Sequence, residues 1–238
     1  MIYVTGDYHG GLDGAKLHPR LFPEGARLTR DDYVVICGDF GMLWTGSNNE
    51  LAQLEWLAAQ PWTTLFVDGN HECFSFYEDQ GEELWHGGRV NRFADYPNIV
   101  HLMRGQVFEL EGSRVFTMGG ATSTDRAWRV PGLSWFPEEL PCAAEYEEAE
   151  RNLERAGWEV DYVLTHTCSS SLLPRALYPD PGWQAPEIDE LTQFLASLEE
   201  RLRYRRWYFG HFHKDRDVDE RHTVLYQKVV RLGDGAGA

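Results

Sequence analysis

The chain has 238 residues, and 42% of them are hydrophobic, which is enough apolar material for a single α/β or sandwich core. Its 38 acidic and 22 basic residues give a formal net charge of −16, which disfavours long DNA or RNA as a substrate because nucleic-acid affinity depends on Lys and Arg. The sequence has no apolar run near the ~18 residues of a membrane span and no signal segment after Met1, so we expect a cytoplasmic protein without membrane contact.

Strands alternate with a helix in the first part of the chain. Ile2–Thr5, Tyr33–Cys37 and 65–68 have the apolar, β-branched composition of buried strands. Residues 48–60 carry apolar side chains at helical spacing and end before Pro61, so they predict a crossover helix between the second and third strands. This order is typical of α/β proteins with parallel strands.

The central part of the chain predicts a hairpin, because Gln106–Leu110 and 114–119 alternate in hydrophobicity around a turn at 111–113. Beyond it, apolar spacing predicts helices and strands. The helices are 141–156 and 187–204, and the strands are Tyr162–Thr165, 207–209 and 223–230. We predict one domain over 1–232 and a flexible tail over 233–238. Together these elements indicate an α/β fold in which two mixed sheets pack face to face with helices outside.

The four cysteines are Cys37, Cys73, Cys142 and Cys168. They include no C-x-x-C pair and no spacing typical of a disulfide framework. We therefore expect reduced thiols, as is usual in the cytoplasm.

Five short polar clusters follow predicted strands or apolar segments. They are Asp7-Tyr8-His9, Gly38-Asp39, Gly69-Asn70-His71-Glu72, Thr165-His166-Thr167 and Gly210-His211-Phe212-His213. Strand ends at one edge of an α/β sheet can bring such residues into one pocket. Their carboxylates, imidazoles and amide carbonyl form a mixed oxygen and nitrogen donor set, which suits Mn, Fe or Zn. Two such ions can promote displacement at phosphorus, so the clusters predict hydrolysis of phosphate esters.

Each cluster alone also has a simpler interpretation. Asp7 and Asn70 are ordinary turn residues beside glycine, and His71 or His166 alone is more often a hydrogen-bonded core histidine than a ligand. The complete set in one chain favours the metal site, because independent turns would not be expected to supply every ligand of two ions.

In this order, the motifs G-D-x-H, G-D, G-N-H-E, H and G-H-x-H between Gly6 and His213 resemble the calcineurin-like metallophosphoesterase superfamily. The resemblance implies a four-layer α/β/β/α sandwich and a metal-dependent phosphoric ester hydrolase with two divalent ions. Mn is the expected metal, with Fe, Zn or Ni as alternatives. The implied ligands are Asp7, His9 and His213 for the first ion, Asp39 as the bridge, and Asn70, His166 and His211 for the second ion.

The resemblance also implies two catalytic residues, Asp39 and His71. His71 binds no metal in the family pattern and would stabilise charge on the phosphate or protonate the leaving oxygen. Glu72 would not bind a metal itself but would fix the orientation of an imidazole in the site. His211 and His213 are two residues apart, so in an extended segment both side chains would leave the same face and reach neighbouring ions.

The expected reaction is hydrolysis of a phosphomonoester or phosphodiester by a hydroxide between the metals, with a small or nucleotide-like substrate as the partner. Arg126 and Arg129, in a glycine-rich segment, are candidates for phosphate contacts, although surface ion pairs are an equal alternative on so acidic a protein. The chain lacks the G-D-x-V-D-R-G string of Ser/Thr protein phosphatases after Gly38. A nuclease and a non-catalytic metal- or nucleotide-binding scaffold are the alternatives, and the sequence leaves the oligomeric state open.

Overall fold

The computed structural model describes residues 1–42, 44, 46–78, 80–177 and 188–237, and two β-sheets form its centre. The first sheet has seven strands in the order β13-β1-β2-β3-β6-β5-β4. Its strands are β1 (Ile2–Thr5), β2 (Tyr33–Cys37), β3 (Thr63–Val67), β4 (Gly81–Trp85), β5 (Gly88–Arg92), β6 (Ile99–Leu102) and β13 (Val229–Arg231). The central strands β1, β2, β3 and β6 are parallel, and antiparallel pairs occur at both edges.

The second sheet has six strands in the order β11-β12-β10-β9-β8-β7. Its strands are β7 (Gln106–Leu110), β8 (Ser113–Met118), β9 (Tyr162–Thr165), β10 (Arg206–Phe209), β11 (Arg216–Asp217) and β12 (His222–Val224). The strands β8, β9, β10 and β12 are parallel, and β7 and β11 pair antiparallel at the edges. The predicted α/β fold with two mixed sheets is therefore confirmed.

Helices cover the outer faces of both sheets. The helices are α1 (Asn48–Ala58), α2 (Phe74–Glu78), α3 (Ala143–Arg155), α4 (Leu173–Leu177) and α5 (Glu190–Arg201). Leu54 of α1 is buried in one cluster with Phe66 of the first sheet, and Leu153 of α3 and Leu195 of α5 are buried in another with Trp207 of the second sheet. A third cluster fills the space between the sheets and includes Val4, Val35, Leu65, Val115, Leu164 and Tyr208. The layers are thus α/β/β/α, because burial of apolar area drives each face against a neighbour.

The prediction of a single final strand over 223–230 is wrong. The structure ends β12 at Val224 in the second sheet and begins β13 at Val229 in the first. Between them, the backbone N–H groups of Tyr226 and Lys228 donate to Asp215 Oδ1 at 2.8 and 2.9 Å. These two N–H groups are therefore not available to pair with a neighbouring strand. The chain crosses from one sheet to the other at Tyr226.

Each of the three predicted helices ends before its predicted last residue, and the second and third also begin later than predicted. The helix predicted over 48–60 ends at Ala58. The helix predicted from 141 begins at Ala143, after the N–H of Cys142 donates to Glu145 Oε2 at 2.7 Å. The last helix covers Glu190–Arg201, and Asp189 Oδ1 accepts the Thr192 N–H at 2.7 Å. Position 187, where this helix was predicted to begin, lies outside the described residues.

The hairpin of β4 and β5 was not predicted from the sequence. Its first strand is largely exposed, and Leu84 retains 81% of its accessible surface. The turn consists of His86 with φ 49° and Gly87 with φ 91°, which is the positive-φ geometry of a tight hairpin. A polar, exposed edge hairpin lacks the apolar alternation by which strands are recognised.

The segment predicted to be a flexible tail makes specific contacts over its described part, 233–237. The Gly233 N–H donates to Tyr208 Oη at 2.7 Å, and the Ala236 N–H donates to Asp217 Oδ1 at 3.1 Å. Ala236 is buried in the core between the sheets. The flexibility predicted for this segment stays a prediction.

Two expectations from composition can be compared with the structure. Within the described ranges, no helix is both long and apolar enough to cross a membrane. The four cysteines Cys37, Cys73, Cys142 and Cys168 are free in the structure.

Candidate metal centre

The parallel strands of both sheets place polar residues at one edge of the fold. Asp7 follows β1, Asp39 follows β2 and Asn70 follows β3, all in the first sheet. His166 follows β9 and His211 follows β10 in the second sheet. Because the carboxyl ends of parallel strands meet at one edge, residues far apart in sequence become neighbours there.

Side chains from these strand ends form one continuous cluster. In three groups, each residue offers one atom to a set that lies within 4.8 Å. The groups are Asp7, His9 and His213; His9, Asp39 and His71; and Asp7, Asp39 and His166. His9, Asp7 and Asp39 each belong to two groups. The three groups therefore overlap and form one cluster of carboxylate oxygens and imidazole nitrogens.

Asn70 joins the cluster through its carbonyl oxygen, which lies 3.1 Å from His166 Nε2. Its Nδ2 donates to Ser123 Oγ at 3.2 Å, and the Ser123 hydroxyl donates to Glu139 Oε2 at 2.6 Å. Since Ser123 uses its proton on Glu139, it can only accept from Asn70. This chain of hydrogen bonds therefore turns the Asn70 oxygen, which is the metal-binding atom of the amide, toward the cluster.

His211 joins the cluster from the end of β10. Its ring centroid lies 5.0 Å from that of His166, and its backbone N–H donates to Asp7 Oδ1 at 2.9 Å. Burial and the nearby charge of His166 lower the pKa of His211 to about 3. Its imidazole is consequently neutral at pH 7, which is the form that binds metals.

The backbone is strained at four of the predicted ligands. Among the described residues, seven other than glycine have positive φ, and they include His9 (46°), Asp39 (49°), His211 (66°) and His213 (50°). Such angles are uncommon outside glycine and concentrate at functional sites. The prediction of an extended segment over His211 and His213 is wrong, because β10 ends at Phe209 and both histidines have left-handed backbone angles.

Glycines in the same loops permit the close approach of ligand side chains. A Cβ at Gly38 would lie 2.2 Å from His166 Nδ1, and a Cβ at Gly69 would lie 2.1 Å from Asp39 Oδ1. Both distances are far shorter than a van der Waals contact. Any larger residue at these positions would displace His166 or Asp39.

Glu72 supports two ligand-bearing loops through their backbone. Its carboxylate accepts hydrogen bonds from the N–H groups of Phe40 (2.8 Å), Gly41 (2.9 Å) and Gly69 (3.0 Å) and from Tyr77 Oη (2.6 Å). Glu72 was predicted to orient an imidazole. The structure instead shows it joining the Asp39 loop to the Asn70 loop, because a fully buried carboxylate needs several donors.

Charges within the cluster strongly influence one another. Burial acts to raise the pKa of the Asp39 carboxyl, but His166 and His9 outweigh it and hold this pKa well below its usual range. Burial acts to lower the pKa of His166, but the carboxylates of Asp39 and Asp7 outweigh it and raise the pKa to about 9. The pKa of His9 is also raised to about 9, where Asp39 outweighs burial. Cations at the same place would replace these protons, since ligating imidazoles are deprotonated.

The environment of Asp7 fits a cation. Its Oδ2 is buried and accepts no hydrogen bond from the described part of the chain, although it lies 3.1 Å from His213 Nε2. A buried carboxylate oxygen without a donor is costly. A carboxylate oxygen and an imidazole nitrogen that bind the same divalent ion would also lie close together, as Asp7 Oδ2 and His213 Nε2 do. The donor set and the unsatisfied Asp7 oxygen therefore fit a metal centre.

Of the two arginines predicted to contact substrate, the structure brings one to the cluster. Arg129 Nη2 lies 3.0 Å from both ring nitrogens of His71, and Arg129 Nε donates to Asp125 Oδ1 at 2.6 Å. Arg126 instead lies over the ring of Trp135 at 4.0 Å. Burial first, and then the charges of Arg129 and other neighbours, lower the pKa of His71.

Three residues near the cluster were not singled out from the sequence. Asp13 Oδ2 lies 2.6 Å from His9 Nδ1, and Tyr226 Oη donates to Asp13 Oδ1 at 2.8 Å. The buried Lys16 donates to the backbone carbonyls of Asp7 and Tyr226. Only the four-residue spacing of His9 and Asp13 is visible in the sequence as a possible contact on one helical turn.

A cavity of about 670 Å³ lies apart from the predicted ligands. Its lining includes Phe74 and Tyr77 of α2 and the buried residues Asp68, His101 and Arg104. Asp68 accepts from Arg104 Nε at 2.6 Å and lies 3.1 Å from His101 Nε2. Because the Asp68 carboxylate and the Arg104 guanidinium already pair with each other, the polar cluster is the better candidate for phosphate chemistry.

Comparison with known proteins gives one family match and two solved structures that resemble this chain. Residues 1–215 match the family model described as calcineurin-like phosphoesterase. No curated protein matches the chain. The crystal structure of TT1561 of Thermus thermophilus is 14% identical, with a TM-score of 0.49 over 95% of this chain and 89% of that one. The crystal structure of the protein of unknown function AQ665 from Aquifex aeolicus is 15% identical, with a TM-score of 0.37 over 86% of this chain and 87% of that one.

Proposed function

The chain belongs to the calcineurin-like phosphoesterase family, and from this premise we propose that it hydrolyses a phosphomonoester or phosphodiester at two divalent metal ions. The observation that carries the proposal is the set of three overlapping Asp and His groups, in each of which the ligand atoms lie within 4.8 Å of one another. A structural role alone would not require buried carboxylates and imidazoles to face each other, because burying such charges is costly.

We propose the ligand assignment that the family resemblance implies. Asp7, His9 and His213 would hold the first ion, and Asp39 would contact both ions. The second ion would be held by Asp39 with Asn70, His166 and His211. Mn is the proposed metal, since a mixed set of oxygen and imidazole donors suits Mn, with Fe, Zn or Ni as alternatives.

Asp39 is the residue that connects the proposed ligands with the proposed catalytic histidine. When bound, two divalent ions supply Lewis-acid activation of water and neutralise charge on phosphoryl oxygens. Asp39 fixes the centre of the cluster, since its Oδ1 lies 3.2 Å from His166 Nε2 and its Oδ2 lies 3.1 Å from His9 Nε2. Asp39 Oδ1 also accepts the His71 backbone N–H at 2.8 Å, which ties the catalytic histidine to the same carboxylate.

His71 is the proposed catalytic histidine beside the phosphate. Burial and nearby positive charge lower the pKa of His71, so its imidazole is neutral at pH 7 when neither metal nor phosphate is bound. A phosphate placed against the ring would favour the protonated form, because a neighbouring negative charge raises the pKa of an imidazole. His71 would then donate its proton to the leaving oxygen.

Charge favours a small phosphate ester as the substrate. Two divalent ions add about +4 formal charge to the cluster, and this attracts a small anion. The chain as a whole carries −16, which opposes the approach of a long polyanion. We therefore propose a small or nucleotide-like substrate and disfavour long nucleic acids.

The test is hydrolysis of bis-p-nitrophenyl phosphate and p-nitrophenyl phosphate by metal-stripped protein to which Mn is added back. We expect turnover that depends on Mn and saturates with it, and the ratio of the two rates will indicate a preference for diesters or monoesters. Binding of Mn without turnover of these or other phosphate esters, also with Fe, Zn or Ni, would favour a metal- or nucleotide-binding scaffold.

Arg129 and Arg126 provide a matched pair for testing substrate contact. Arg129→Ala is expected to lower kcat/KM for both esters by about 10- to 100-fold, because a hydrogen bond to a charged group contributes about 1.5–3 kcal/mol. Arg126→Ala removes the same charge from a guanidinium that lies over Trp135, so its kcat/KM should match that of the wild type. Equal losses in both variants would point to a general charge effect and contradict a specific contact by Arg129.

A further inference from the structure

Asp13 holds one edge of the His9 imidazole. Its Oδ2 lies 2.6 Å from His9 Nδ1, and both side chains are largely buried, with 16% of His9 and 14% of Asp13 exposed. A carboxylate accepts hydrogen bonds only, so Asp13 favours a proton on His9 Nδ1 over one on Nε2 once a single proton remains on the ring. The Nε2 atom, which lies 3.1 Å from Asp39 Oδ2, then directs its lone pair into the cluster when the ring is neutral.

Tyr226 contacts both this pair and a second imidazole of the same group. Its hydroxyl donates to Asp13 Oδ1 at 2.8 Å. Its ring stacks on His213 with a centroid distance of 4.5 Å and an interplanar angle of 9°. His213 is half-exposed, and the Tyr226 ring covers one face of its imidazole.

Tyr226 is itself fixed through its backbone. Its N–H donates to Asp215 Oδ1 at 2.8 Å, and its carbonyl accepts from Lys16 Nζ at 2.6 Å. Lys16 also donates to the Gly6 carbonyl at 3.0 Å, immediately before the ligand Asp7. Hydrogen bonds at both its N–H and its carbonyl therefore hold the tyrosine where the chain crosses between the two sheets.

We propose that Asp13 and Tyr226 are positioning residues that set the affinity of the first metal ion. Asp13 fixes the tautomer and orientation of His9, and Tyr226 fixes Asp13 and His213 together. This inference rests on the proposed metal centre, and it concerns one of its two ions. Residues that orient ligating histidines in this way typically alter metal affinity by about 10- to 100-fold.

The second ion would not depend on this pair. His166 is fully buried, and its Nδ1 lies 2.8 Å from the carbonyl oxygen of Cys37. The amide of Asn70 is held by Ser123. Since neither contact involves Asp13 or Tyr226, a change at the pair should weaken one metal site and spare the other.

The test is calorimetric titration of metal-stripped wild type, Asp13→Asn, Tyr226→Phe and Tyr226→Leu with Mn. We expect two Mn ions in the wild type. In Asp13→Asn, which keeps the shape but lacks the charge that holds the Nδ1 proton, one of the two should bind about 10- to 100-fold more weakly. Tyr226→Phe retains the ring on His213 and should lose less affinity than Tyr226→Leu. The Mn concentration for half-maximal activity should rise in parallel, with kcat largely recovered at saturating Mn.

Tyr204→Phe is the matched control, because the Tyr204 hydroxyl lies 2.8 Å from His222 Nε2 and not beside the cluster. Its two Mn affinities should equal those of the wild type. Unchanged affinities in Asp13→Asn and Tyr226→Phe, or an equal loss at both sites, would overturn the inference while leaving the proposed function intact. A wild type that binds no Mn would overturn both. Selective weakening of one site without phosphoesterase activity would support the positioning pair and reject the proposed reaction.

Discussion

Asp39→Asn should reduce phosphoesterase turnover to the uncatalysed background and lower Mn binding from two ions to at most one. Asp39 lies between two imidazoles, with its Oδ1 3.2 Å from His166 Nε2 and its Oδ2 3.1 Å from His9 Nε2. An asparagine has the same shape but offers one oxygen and no negative charge. It therefore cannot serve two cations, and its NH2 group would face an imidazole or an ion.

The measurements are Mn titration by calorimetry and the rate of bis-p-nitrophenyl phosphate hydrolysis at saturating Mn. Asp95→Asn is the matched control, since it makes the same chemical change at an exposed position. It should bind two Mn ions and hydrolyse the ester at the wild-type rate. Near-wild-type turnover in Asp39→Asn with both ions bound would show that Asp39 does not bridge them, and the proposed centre would have to be rejected.

The sequence predicted the components of the cluster because they depend on residue type and order along the chain. Asp7, Asp39 and Asn70 each follow a buried parallel strand, and strands of this kind are recognisable from their apolar composition. Parallel pairing then brings their carboxyl ends to one edge, whatever the distance along the chain. Local composition and a general rule of sheet topology were therefore sufficient for these three residues.

Contacts between distant segments could not be predicted in the same way. Tyr226 meets Asp13 across 213 positions, and it lies in a stretch predicted to be one strand. That stretch leaves the strand because Asp215 accepts its backbone N–H groups, and a single carboxylate eleven residues away has no periodic signal. The left-handed backbone angles of His211 and His213 could not be predicted from the sequence either. Such angles are disfavoured for residues other than glycine and are imposed by the surrounding structure.

His71→Ala should leave two Mn ions bound and lower kcat by about 100- to 10,000-fold on an ester with a poor leaving group, the range expected for loss of a general acid. The side chain lies near Asp39 and His9, but the proposed ligand sets are complete without it. With p-nitrophenyl phosphate the loss should be smaller, because p-nitrophenolate departs without needing a proton. The measurement is kcat on phenyl phosphate and p-nitrophenyl phosphate at saturating Mn, with metal stoichiometry determined for each protein.

The dependence on the leaving group separates the possible roles of His71. A proton donor produces a loss that grows as the leaving group becomes poorer, whereas a residue that only binds phosphate lowers both rates equally. His18→Ala is the control, because His18 is exposed and belongs to none of the ligand groups. Full activity of His71→Ala on phenyl phosphate would contradict the catalytic assignment. Loss of one Mn ion would instead make His71 a ligand, which its place in a group with His9 and Asp39 permits geometrically.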